Sequence, residues 1–450
     1  MNTNFKKKQL NSFDADQRKR EFEEVLKETD VVKTPLRGNV NLHQHTFFSY
    51  NAYDWSPTQI AVANKKNGIE AAGIIDFDVL DGMSEFYHAC DQLGLKSSVG
   101  IETRTFNSAM TDLEIDSPGE PGVSYVAGTG FTSLPLEKSN EAQFLKMLFE
   151  TSRSRNLALI ERINGQLPEL AIDYNDHVLP LTPSGNATER HIVEAYINQS
   201  KKRLGDRFAV VWAEVLEKSV SEIEELTESK PVFDELVRKR LAKQGGIGYQ
   251  RPSQDTFPST KETFNWIREC GAIPTESWLD GTSAGEKDPE RLVEMSYSLG
   301  ARALNIIPDR NWNIKVEALQ KQKVQNLEAI VKTANNFGLP LHIGTEMNKI
   351  GQPFVDDLNG PVLSRFKKDF KKGAHIITGH VVLSRFADFG YLGGSSLSEF
   401  KDITTKNSFF EAVGQLPALS PDQQNKLKQS TNEEAFSMIA DSAKKLKWTF

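Results

Sequence analysis

An α/β barrel interrupted by a large helical insertion is the fold this sequence predicts, and three observations predict it. From Gly38 onward, short apolar runs alternate with polar clusters and amphipathic segments, the rhythm of strands joined by helices in a parallel sheet. The runs fall into two sets separated by a long, mostly helical stretch. Several runs end in His, Asp or Glu, as expected of a barrel whose strands deliver their chemistry to one rim.

In chain order, the first element is an arm over residues 1–35. Interleaved charges from Phe13 to Lys33, with Phe22 and Leu26 four apart, predict one solvent-facing helix packed weakly on the body. The first half of the barrel spans 36–135, with runs at Val40 to Leu42, Ala71 to Ile75, Ser97 to Ile101 and Val123 to Ala127. Residues 136–261 have helical patterning over Asn140 to Asn156, Glu189 to Leu204 and Val220 to Lys243. A connection that long needs structure of its own, so it reads as a helical insertion between the fourth and fifth strands. It ends in GGIGYQRPS, which lacks the Gly-Lys-Ser/Thr of a phosphate-binding loop. The second half, 262–400, carries runs at Ala272 to Thr275, Ala303 to Ile307, Leu339 to Ile343 and Ala374 to Thr378, and residues 401–450 are read as C-terminal helices.

With 450 residues, a sizeable core is available, and a net charge of -7 leaves no excess of Lys and Arg for a nucleic-acid partner. A small molecule is the expected partner, with homo-oligomerisation left open. Cys90 and Cys270 supply neither a disulfide framework nor a thiolate cluster, which fits a reducing compartment. The polar, Lys-rich stretch Met1 to Leu10 reads as neither a secretory signal nor a membrane anchor, and the expectation is a cytoplasmic protein without membrane contact.

The sharpest local signal is Asn41-Leu42-His43-Gln44-His45-Thr46 at the end of the first run. Residues two apart on a strand share a face, so His43 and His45 aim two imidazoles into one space, and such a pair suits a transition metal. A surface or capping pair is the plain alternative. Asp76 and Asp78 end the second run and Glu102 ends the third. Carboxylates straight after buried strands are costly to desolvate unless paired, solvated or bound to a cation, although Asp76 or Asp78 could equally cap the following helix.

These stretches, LHQHTFFS, then SPTQIAVANKKNGIEAAGIIDFDVLDG, then LGLKSSVGIETR, resemble the opening of the polymerase and histidinol phosphatase (PHP) family, with its HxHT, TDHD and PGIE motifs. RECGAIPTESW, GARALNII and NNFGLPLHIGTEMN stand where that family has its later motifs. The resemblance covers about half of the chain and implies a PHP-type (β/α)7 TIM-like barrel, a divalent metal and hydrolysis, most often of phosphate esters. It also implies what has been lost. Phe77 replaces the TDH histidine, Asn51 another common histidine, Glu276 or Ser277 the Ala-His-Pro histidine, and Glu346-Met347-Asn348 an Asp-x-His. The ligands it carries over are His43, His45, Glu102 and Glu346, around one divalent ion, Zn, Mn or Fe.

The remaining candidates surround that set. Asp76, Asp78 and Glu276 are read as acid/base groups, and Arg104, two beyond Glu102, as a grip on an anionic substrate or a structural ion pair; Arg190 could join it. Asp309, His191 and His380 are additional ligands in waiting; His191 opens a polar helix start that could close over the mouth. His342 reads as a hydrogen-bonded core residue, and His88 and His177 as surface or helix residues. The function expected is a metal-dependent hydrolase of a small anionic metabolite, a phosphoester or a sugar derivative. A metal-dependent isomerase, epimerase or lyase of a sugar acid and a non-catalytic metal-binding barrel are the alternatives.

Overall fold

The computed structural model describes residues 9–450, so the reading of the Lys-rich terminus falls almost wholly outside the described residues. Seven strands form one sheet in sequential order: β1 (Asn39–Asn41), β2 (Ile69–Phe77), β3 (Lys96–Phe106), β4 (Val123–Thr129), β5 (Ile273–Trp278), β6 (Ala303–Ile306) and β7 (Leu341–Ile343). The sheet curls until its ends meet: Leu42 N donates to Ile343 O at 2.7 Å and Glu346 N to His43 O at 2.8 Å. These bonds nearly close the cylinder, which leaves little unpaired edge among the described residues.

One strand runs against expectation. β4 is antiparallel to both β3 and β5, while the other neighbours are parallel. A parallel return needs a crossover, usually a helix. The 107–122 connection holds only turns, and Asn107 N donates to Gly122 O at 2.7 Å, so the chain doubles back as an open hairpin. β4 therefore ends at the base of the barrel. From there the helix Asn140–Gln166, 27 residues and about 40 Å long, climbs the outer wall to the mouth.

The insertion continues through the helices Glu189–Leu204, Phe208–Leu216, Val220–Thr227 and Lys230–Leu241, which enclose a core of their own around Tyr196, Trp212 and Phe233. It is pinned to the rim by Asn186, whose Nδ2 donates to Phe77 O at 2.7 Å and Phe48 O at 3.0 Å, and by Ser184 Oγ, which donates to Asp81 at 2.6 Å.

The arm and the last apolar run also differ from their readings. In the helix Ala15–Leu26, capped by Asp14, Phe22 and Val25 are buried in the core that packs against β2 and β3. Its Arg18 forks onto Glu85, with Nη2 at 2.6 Å. The helix is thus a fixed part of the wall. Ala374 to Thr378 is helical, the middle of Lys367–Ala387. This helix is buried on several sides, close enough that a Cβ on Gly373 would sit 2.1 Å from Leu341 O and one on Gly379 2.0 Å from Phe410 O. Burial all round erases the helical period, and what remains reads as a strand. The C-terminal helices Ile403–Gln415, Pro421–Lys428 and Asn432–Lys445 share its apolar cluster. Cys90 and Cys270 are unpaired. No helix among the described residues is long and apolar enough to cross a membrane.

Candidate metal centre

The face each residue takes on its strand decides the site. Partners in the ladder point the same way, so Phe77, Glu102, Ala127 and Thr275 share one face, and Ser277, Asn305 and His342 continue it. Val99, Ile101, Val126 and Ile74 take the other face and pack under the helices, so the first set lines the barrel interior. The segment after β1 is gripped from both sides: Ile75 N donates to Gln44 O at 3.0 Å and His45 N to Glu346 O at 2.8 Å. Gln44 turns outward, its Oε1 accepting from Asn64 of the helix Pro57–Lys66 at 2.7 Å, while His43 and His45 face inward.

His43, His45 and Glu102, all buried, bring ligand atoms within 4.8 Å of one another. The His43 and His45 Nε2 atoms lie 3.5 and 3.3 Å from Glu102 Oε2. Their tautomers follow from the atoms behind them. Asn305 donates from Nδ2 to Ser277 Oγ at 3.3 Å, and its Oδ1 accepts from His43 Nδ1 at 3.0 Å and from His342 Nδ1 at 2.9 Å. Ser49 donates to Asp76 Oδ1 at 2.5 Å, leaving its oxygen to accept from His45 Nδ1 at 3.3 Å. With both protons on Nδ1, both Nε2 atoms present lone pairs to a carboxylate, and neither has a hydrogen-bond partner among the described residues. Acceptors facing acceptors in a buried space call for a cation between them. Two imidazoles and one carboxylate are a fitting donor set for a divalent transition metal.

Glu346 stands beside this group rather than within it. Its oxygens accept from Arg310 Nη2 at 3.0 and 3.3 Å and from Gln352 Nε2 at 3.2 Å. Burial opposes its charge, but Arg310 and then His43 override that and hold its pKa below the usual carboxylate range. Its backbone is left-handed, φ 59°, as is that of Met347 at 61°, a strained conformation for residues with side chains. Glu346, expected as a fourth ligand, lies outside the converging group of three and is engaged by a guanidinium.

The expected acid/base groups are not in the interior. Asp76 is paired with Ile101 on the helix-facing side, and its oxygens take Thr46 N at 2.8 Å, Thr46 Oγ1 at 2.7 Å and the Ser49 hydroxyl. It orients the His45 loop. Asp78, at φ 61°, accepts from Thr103 Oγ1 at 2.5 Å. Glu276 pairs with Val126 and Leu304 on the outer face and accepts from Ser124 Oγ at 3.3 Å; burial pushes its pKa up to about 7. An adjacent residue is the one that faces in, Phe77 beside Asp76 and Ser277 beside Glu276, and sequence position cannot distinguish the two faces.

The additional ligands are likewise placed elsewhere. His191 accepts the Thr188 N–H at 3.0 Å as part of a helix cap and packs on Tyr50; burial draws its pKa down to about 4. His380, within the helix Lys367–Ala387, spends Nε2 on Gly130 O at 2.9 Å and Nδ1 on Tyr391 N at 2.9 Å. Asp309 is the first residue of the short helix Asp309–Trp312 and accepts from Asn313 Nδ2 at 2.8 Å. His342 is a buried interior residue beneath His43, their ring centroids 5.7 Å apart. Arg104 does lie on the interior face, its Nη2 directed at Glu120 and Ser117. Arg310, Asn305 and Ser49 escaped the sequence reading. Only Asn305 left a signal, as the polar residue of the apolar run ALNII.

A PHP domain family model matches residues 41–224. No curated protein matches the chain. Among solved structures, an amidohydrolase from Chromobacterium violaceum with bound sulfate is 15% identical, covering 73% of this chain and 96% of its own at a TM-score of 0.48. A protein described as a metal-dependent phosphoesterase from Bifidobacterium adolescentis is 18% identical, covering 74% and 97% at 0.45. Neither likeness carries the assignment, which rests on the family match. That match covers the strands that present His43, His45 and Glu102, so the part of the chain that builds the site, residues 41–224, is similar to the PHP domain family.

Proposed function

We propose that this protein is a hydrolase that holds one divalent metal ion between His43, His45 and Glu102 and cleaves a small anionic metabolite, a phosphoester or sugar-derived ester. The observation that carries this reading is the pair of buried, unpartnered Nε2 atoms facing Glu102. A bound divalent ion supplies Lewis acidity there, polarising a substrate oxygen and bringing the pKa of water towards neutrality. Asn305 and Ser49 keep both imidazoles in the tautomer that can ligate. Phe77, stacked on His45 with centroids 4.4 Å apart, puts a ring that cannot ligate against the imidazole, which favours a single ion. Arg310, with one nitrogen on Glu346 and its side chain 42% exposed, supplies a guanidinium to the anionic part of the substrate. Glu346, kept ionised beside that guanidinium, is the interior carboxylate able to accept a proton at Oε1 or Oε2.

The test is elemental analysis followed by turnover of phosphoesters, lactones and sugar acids in ¹⁸O-water. One metal per chain, lost in His43→Ala, with label in the product, is the expected result. Product that rearranges without gaining water would replace hydrolysis by isomerisation or elimination. A stoichiometry of zero would remove the metal reading.

A further inference from the structure

We propose that Arg104 and Arg155, held on the ring of Phe257 at the barrel mouth, form a separate binding site for an oxyanion group of the substrate, a phosphate or carboxylate remote from the bond that is cleaved. The inference deepens the hydrolase reading and rests on it for the word substrate. Arg104 leaves β3 on the interior face two residues beyond Glu102, about 7 Å nearer the mouth. Arg155 comes from the insertion, on the helix Asn140–Gln166. The guanidinium carbons stand 4.4 and 4.5 Å from the centroid of the same ring. A strip of rings leads to them from the metal centre: Phe77 against His45 at 4.4 Å, Tyr125 6.3 Å from Phe77, and Arg104 5.5 Å over Tyr125. An extended ligand lying along that strip would reach from the imidazoles to both guanidiniums.

Two cations this close are unfavourable unless anions balance them, and the protein's own acids leave much of their capacity unspent. Arg104 Nη2 is directed at Glu120 and at Ser117 Oγ, but its Nε is buried without a hydrogen-bond partner among the described residues. Asp78 is the acid whose charge acts most on Arg155, yet it accepts from Thr103 Oγ1 at 2.5 Å, and Arg155 makes no hydrogen bond among the described residues. Burial weakens the hold of Arg155 on its proton, against the opposing charge of Asp78 and with a smaller contribution from the charge of Arg104. A guanidinium fork with free N–H groups matches an oxyanion bidentately. An open cavity of about 340 Å³ lies on the Arg155 side of the pair, lined also by Met147, Thr151, Ser154, Thr256 and Glu150, the last paired with Lys146 at 3.5 Å, and Arg104 does not line it.

The experiment is calorimetric titration of metal-free protein with inorganic pyrophosphate and, separately, with malonate, to distinguish phosphoryl from carboxylate recognition. Wild type and His43→Ala are expected to bind alike, and Arg155→Met to bind about tenfold or more weakly while taking up zinc as wild type does. Arg155→Lys keeps the charge and loses the fork; a loss of about threefold is expected, and this variant carries the test if Arg155→Met does not fold. Equal affinity in wild type and both variants, or no binding of either probe, overturns the site and leaves the metal centre standing. Anion binding that persists in a wild-type protein unable to take up zinc would uphold the site and sink the hydrolase reading instead.

Discussion

Asn305 and Ser49 settle which nitrogen of each imidazole is free, though neither touches the space where a metal would sit. Replacing Asn305 by Leu removes the acceptor behind His43 and also leaves His342 Nδ1 without its partner. Zinc affinity should fall by about 10- to 100-fold, read by competition with a chromophoric chelator, while the protein still folds. Unchanged affinity would show that packing alone holds the ring. The same atoms explain what could be read from the chain. His43 and His45 were legible because alternation places them on one face, and Glu102 because it ends a strand facing them. The surroundings of Glu346 were not legible, because a left-handed backbone and the neighbouring Arg310, both invisible in a one-dimensional pattern, turn its carboxylate to a guanidinium.

At the scale of elements, β5 carries a charge problem on its outer face. Burial raises the Glu276 pKa from 4.5 to about 7, so the folded chain binds this proton more tightly than the unfolded one. The sign follows: this group favours folding below its unfolded pKa, and that contribution is lost as pH rises through the folded value, by about 3 kcal/mol in all. Glu276→Gln should therefore flatten the decline in urea-derived stability between about pH 4.5 and 7. A variant with wild-type slope would place the proton elsewhere. The N-terminal helix makes a second test. Phe22 is 2% exposed, so Phe22→Ala should cost about 3–5 kcal/mol by denaturant titration, where a loosely attached arm would cost almost nothing. The strand order and the insertion could be inferred from the apolar rhythm and from the length of the gap. The reversal of β4 could not, because a strand reads the same in either direction and only the missing crossover helix reveals it.

Over the whole molecule, zinc and folding should be coupled, since the three ligands converge only when the cylinder is closed. At free zinc about 100 times the dissociation constant, the native state gains about 2.7 kcal/mol, visible as a rise in melting temperature that His43→Ala should abolish. An equal rise in the variant would mean that zinc binds elsewhere. The insertion, with its own core, should meanwhile melt or exchange its amides as a unit distinguishable from the barrel. The seam between β7 and the His43–His45 segment has a bearing on timing. Every ligand lies at or before Glu102, whereas Asn305 and the Glu346 carbonyl that clasps His45 are made about 200 residues or more later. A growing or truncated chain can therefore offer the ion no more than loose, freely rotating imidazoles, and secure capture becomes one of the final events of maturation, after the two ends of the sheet have joined.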